Sequence, residues 1–121
     1  MVPLQSNSGV PQATTAFFVA LASTTEGNGQ AVAPIGGTFK NLFIQLASPL
    51  GGAAQTMAFT LRVNGVDTGV TCTINSGGTT ASDTTHSATI AAGQTWSIKV
   101  VTSATTGTTP FIAGGIEFDN P

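Results

Sequence analysis

Asp83, His86 and Ser87 bring an acid, a base and a nucleophile within five residues of one another. Hydrolytic chemistry needs those three types to converge, the acid orienting the base and the base taking the nucleophile's proton. Members of such a triad normally come from distant parts of a chain, and three neighbours on one polar segment do not line up that way. The expected role of Asp83 is therefore local, a carboxylate closing a turn. Glu117, Asp119 and Asn120 form a second group of oxygen donors. Around a three-fold axis they would triple into an oxygen-rich Ca²⁺ site; in one copy they read as a solvated polar tail. Trp96 offers a flat face for stacking on a sugar, but its place beside Ile98 and Val100 assigns it to the core.

The supply of reactive groups is small everywhere else. The chain has one His, one Cys, no Tyr and eight charged side chains, three basic and five acidic. Proton transfer and metal binding need several such groups close together, so neither a catalytic, a cofactor nor a metal site is expected, and the chain does not read as an enzyme. Cys72 has no second cysteine to pair with. Lys40, Arg62 and Lys99 stand apart and make no basic tract for nucleic acid. The longest apolar run, Ala16 to Ala22, is far short of the roughly 20 residues of a membrane helix. Met1 is followed by Val-Pro-Leu-Gln with no basic stretch ahead of an apolar core, so export by a signal peptide is not expected. Charged residues are 7% of the chain, against about 25% in ordinary domains. Mean hydropathy is +0.28 and net charge −2, which is not the composition of a disordered chain. A surface so close to neutral is poorly protected against association. Copies of the chain, or a larger assembly, are expected to cover much of it.

The elements that hold these residues read as strands. Residues 1–13 contain Pro3, Pro11 and a Ser-Asn-Ser-Gly turn, and read as an extended arm whose apolar anchors Val2, Leu4 and Val10 would contact a partner. Residues 14–121 read as one domain. Strands are expected over 14–24, 38–47, 87–91, 95–101 and 110–118, with a short one over 31–35 that Pro34 confines to an edge or bend. Residues 26–29 read as a turn and 75–83 as a polar loop. Gly114-Gly115 marks a close backbone approach. Asn64-Gly65 is the preferred pair for a two-residue type I′ turn. It predicts a hairpin with Val63 opposite Val66, Leu61 opposite Thr68, Phe59 opposite Val70 and Met57 opposite Cys72 on the apolar face. Arg62 then faces Asp67 as a cross-strand ion pair on the polar face. Short strands at this spacing, with no helical period, predict an all-β antiparallel sandwich or barrel.

The run from Ala88 through Gly93, Gln94, Trp96 and Val100, and then Phe111 through Gly114, Gly115 and Phe118, resembles the closing strands of the tumour-necrosis-factor and complement-type jelly rolls. Gln94 stands where that family often has Asp. The stretch from Phe59 through Asn64-Gly65 to Thr68, followed by Thr71 to Ile74 and Asp83 to Ser87, is similar to compact β modules on phage particles and on bacterial collagen-like surface proteins. The resemblance spans residues 14–119 in outline. It implies a jelly-roll-like β-sandwich assembled as a homotrimer, and it carries over no catalytic residues.

With that resemblance, the low charge, the arm and the expectation of no signal peptide point to a structural virion protein. The expected role is a capsid decoration trimer, made in the host cytoplasm and bound to the major capsid protein on the outside of a phage head. Nucleic acid and membrane are not expected as partners. The alternative is a trimeric fibre tip or surface-protein module that recognises a glycan or receptor.

Overall fold

In the computed structural model, which describes residues 2–6, 14–19, 23–51, 55–103 and 110–120, Asn64 and Gly65 take φ of 53° and 80°. That left-handed backbone is what a type I′ turn requires. Strands β5 (Thr56–Val63) and β6 (Val66–Asn75) leave it as a hairpin. Val63 lies opposite Val66 and Arg62 opposite Asp67, as expected. Further from the turn the expected register is wrong by two residues: Thr60 faces Thr71, Phe59 faces Cys72 and Met57 faces Ile74. The cause is a bulge in β6 around Thr68 to Val70. Thr68 Oγ1 donates to the Leu61 carbonyl at 2.8 Å and accepts the Val70 amide at 3.2 Å, filling ladder positions the bulge leaves open. A shift of two preserves the faces. Met57, Phe59, Leu61, Val70, Cys72 and Ile74 therefore all stay buried.

The remaining elements are β1 (Val2–Gln5), β2 (Thr15–Phe18), the single helical turn α1 (Glu26–Gly29), β3 (Ala31–Val32), β4 (Gly37–Leu46), β7 (Thr80–Ile90), β8 (Thr95–Thr102) and β9 (Ile112–Asp119). Their pairing is nested around the Asn64-Gly65 turn: β5 with β6, β4 with β7, β2 and β3 with β8, β1 with β9. The chain is thus a long two-stranded ribbon. Folding it over adds the β4–β9 and β5–β8 pairs. Two antiparallel sheets result, in the orders β1-β9-β4-β7 and β2-β8-β5-β6, with β3 beside β8. The protein is all-β, and the inner faces of both sheets supply one core. Phe18, Phe39, Phe59, Leu42, Ile44, Leu61, Ile98 and Ile116 are each at most 1% exposed. Phe39 sits between Trp96 and Phe118, with ring centroids 4.8 and 5.0 Å away. Trp96 is in the core, as its strand neighbours required.

Two expectations need correction, and one strand carries an irregularity. The arm begins as a strand of the domain itself: Val2 pairs with Ile116 and Leu4 with Gly114. Val2 and Leu4 alternate inward while Pro3 is tolerated because β1 is an edge; the Gln5 amide then donates to the Val19 carbonyl at 3.0 Å, tying β1 to the other sheet. The polar stretch 75–83 is a turn only as far as Thr79, because β7 starts at Thr80. Thr and Ser fit a half-exposed edge strand without an apolar alternation to announce it. In β4, Phe39 and Leu42 are both buried although three residues apart. An extra residue, Asn41 at φ 54°, resets the alternation, and Asn is among the few non-glycine residues that take that backbone readily.

Candidate functional site

Asp83 is where the structure concentrates polar chemistry. It lies on β7 with 6% exposure, on the core side opposite Leu42. Just beyond it β7 bulges, so that Thr84, Thr85 and His86 stand against Asn41 of β4. The bulge turns two amides back onto the carboxylate: Thr85 N donates to Oδ1 at 3.0 Å and His86 N at 3.2 Å. The Thr85 hydroxyl adds a bond at 3.1 Å. From the other sheet, the Thr71 amide of β6 donates to Oδ2 at 3.0 Å. His86 Nδ1 lies 2.9 Å from Oδ2. A carboxylate only accepts, so Nδ1 carries the proton. Burial alone would raise the Asp83 carboxyl, but the amides of Thr71, Thr85 and His86, with the His86 ring, outweigh it and hold the carboxyl well below the usual carboxylate range.

This arrangement matches the turn role expected for Asp83 and extends it. One carboxylate satisfies backbone donors on β6 and β7 and pins the two sheets together along that edge. His86 is oriented by Asp83 with its side chain 60% exposed, and its ring carbon lies 3.8 Å from where a Cβ on Gly69 would be. Ser87 is in register with Lys40 and faces solvent. The imidazole's bonds run from Nδ1 to Asp83 and Thr85, so acid and base are together and the serine stands apart from them. Cys72, beside this cluster, is pushed up to about 12 by burial and then by the Asp83 charge. It stays a neutral thiol, which is a poor nucleophile.

The other charges are matched within the chain. On the outer face of the β2-β8-β5-β6 sheet, Arg62 Nε meets Glu26 Oε2 at 2.7 Å and its Nη1 meets Asp67 at 2.6 Å. Lys99 Nζ reaches the second Asp67 oxygen at 2.5 Å. The Ser97 hydroxyl donates to Glu26 at 2.9 Å, and the guanidinium lies 5.4 Å above the Phe17 ring. Lys99 and then Arg62 lower the Asp67 carboxyl, against partial burial. Burial would raise Glu26, and the bonds from Arg62 and Ser97 overcome it. The expected Arg62–Asp67 pair is one edge of this network. Glu26 was not legible as a partner of Arg62, since it stands 36 residues away.

On the opposite sheet Lys40 Nζ lies 3.9 Å from Glu117 and 3.5 Å from Asp119. Asn41 Nδ2 donates to Glu117 at 2.5 Å. The two carboxylates considered for an ion are therefore faced by a lysine and an amide from β4. Among the described residues no group of three or more His, Cys, Asp or Glu side chains is placed to hold a metal. Every one of the eight charged side chains has a partner inside the chain.

Of the three expected partner-contacting residues, Leu4 is 2% exposed and belongs to the core, because β1 pairs with β9. Val2 is half-buried and lines an apolar cleft of about 260 Å³ with Val32, Phe39, Trp96 and Phe118. Val10 lies outside the described residues. No family model, curated protein or solved structure matches this chain.

Proposed function

We propose that the sandwich is wound as a jelly roll and that the chain is a structural virion protein, a homotrimer that decorates the outside of a phage head. Support for the winding comes from the strand orders β1-β9-β4-β7 and β2-β8-β5-β6 and from the nested pairing of the ribbon. Eight-stranded double sheets of this kind recur in capsid and lectin domains. The observation that carries the functional reading is the exhaustion of charge. All eight charged groups are spent on one another or on the backbone. The charges that reach the surface, such as Lys40, Asp67, Glu117 and Asp119, are paired there, and the rest of the surface is hydroxyl, amide and apolar, which favours contact with other protein.

In this reading each protomer makes a modest contact with the major capsid protein, and three linked copies hold by avidity. The chain is made in the host cytoplasm and ends on the virion surface. Truncation of residues 1–13 is a poor test of the attachment, since it removes β1 and the buried Leu4. The direct test is co-sedimentation of the intact protein with phage heads that lack their decoration. Saturable binding at micromolar protein is expected. A lack of binding to shells, together with a reproducible saccharide hit on a glycan array, would move the function to a fibre-tip recognition module.

A further inference from the structure

One row of the β1-β9-β4-β7 ladder builds a hollow at the end of that sheet. Ala113 of β9 lies in register with Gln5 of β1 on one side and Gln45 of β4 on the other. All three are exposed on the outer face. A small residue between two long ones leaves a trough. Ala113 is its floor and the glutamines are its walls, roughly 10 Å apart at two strand spacings. Phe111, just ahead of β9, closes one end and is 59% exposed. The Ala47 amide donates to the Phe111 carbonyl at 3.0 Å and fixes the backbone behind that ring. The hollow measures about 450 Å³, within the roughly 300–1,000 Å³ of small-molecule sites. Neither carboxamide has a hydrogen-bond partner among the described residues. No described residue lining the hollow is charged; Lys40 pairs with Glu117 and Asp119 at the other end of the same sheet.

We infer that this hollow binds a neutral pyranose sugar, one ring of a glycan. Each glutamine carboxamide carries both donors and an acceptor, and the adjacent hydroxyls of a sugar offer both in return. The apolar C–H face of a pyranose covers the exposed Phe111 ring. Other occupants leave something unmatched. An apolar side chain would strip water from both carboxamides and leave them unpaired, at the desolvation penalty of each. A charged ligand would find no counter-charge in the hollow. A peptide binds along a free strand edge, where backbone pairs with backbone; here the surface is the face of a sheet in which β9 is flanked by β1 and β4. Such a site goes beyond attachment to a phage head and needs no second copy of the chain.

Proton–nitrogen NMR of the full chain tests this. The probes are the methyl pyranosides of glucose, galactose, mannose and N-acetylglucosamine, each titrated into the tens of millimolar. At least one is expected to shift the side-chain amide signals of Gln5 and Gln45 saturably, with a millimolar Kd. Gln45→Ala and Phe111→Ala are each expected to weaken that binding about tenfold, and Ala113→Trp, which fills the floor, to abolish it. Val66→Ala, at an exposed position on the other sheet, leaves it unchanged. Far-ultraviolet circular dichroism checks that each variant is folded. Silence of both glutamines toward all four sugars overturns the inference, whatever the protein does with shells. Binding that survives Ala113→Trp overturns the choice of site. Tighter binding of N-acetylneuraminate, or of a capped trialanine peptide, than of any neutral sugar overturns the choice of ligand.

Discussion

Gly114→Ala is expected to lower Tm by 10 °C or more, roughly 3 kcal/mol at the upper end of ordinary overpacking. A Cβ on Gly114 would stand 2.1 Å from the Phe43 carbonyl oxygen and 3.1 Å from the Ile44 Cα. Both atoms are backbone of β4, so no side-chain rotation relieves the overlap. The ladder between β9 and β4 must open instead, and β1, which among the described strands pairs with β9, opens with it. Gly27→Ala is the control: its Cβ would meet nothing within 4 Å, and its effect is expected to stay near 0.5 kcal/mol or less, about the size of a neutral surface change. Thermal unfolding of the two variants side by side decides the matter. Equal Tm values would mean that the β9–β4 approach is looser than described.

Asp83→Asn is expected to cost about 2–4 kcal/mol at neutral pH. The side chain keeps its size, but one carboxylate oxygen becomes an NH₂ that points a donor at the donors of Thr71 or His86. The penalty has a defined pH dependence. In the fold the Asp83 carboxyl is held below the usual carboxylate range, and on unfolding it returns to about 3.9. A depressed value means that the carboxylate's contribution is complete above the unfolded value and is lost as pH falls through the folded one. Denaturant titrations should therefore show the same gap between wild type and variant at pH 7 and pH 5, with the gap narrowing only below about pH 4. A gap that closes between pH 7 and pH 5, or no gap at all, would contradict the part assigned to Asp83 in joining β6 to β7.

What could be read from the residues alone was whatever depends on near neighbours. Asn64-Gly65 set a turn by backbone preference, and the turn proved to be the tip of the whole ribbon. Trp96, Ile98 and Val100 set a buried strand by alternation. Gly114 marked a close approach because any side chain there meets backbone. What depends on distant partners was hidden. The bulge at Thr68 to Val70 moved the hairpin register without disturbing either face, so hydrophobic pattern could not reveal it. Leu4 looked like an anchor for another molecule because its partner strand lies more than 100 residues away. β7 was missed ahead of its last residues because Thr80 to His86 is a hydroxyl-rich edge whose inward-facing residues are a small Ala81 and the carboxylate Asp83. The same residue shows the limit for the site. Asp83 was legible as the acceptor of a local turn bond, and not as the acceptor of the Thr71 amide from the other sheet. Phe39 and Leu42, spaced by three within one strand, were a visible sign of the Asn41 bulge.

The proposed binding by avidity requires that the chain works in more than one copy, and its near-neutral surface of paired charges favours association. Light scattering on the purified full chain at neutral pH, with and without a chelator, tests that requirement most directly. The account predicts a stable mass of three chains that the chelator leaves unchanged, since Lys40 and Asn41 already face the Glu117 and Asp119 carboxylates. A clean monomer at all concentrations would contradict it.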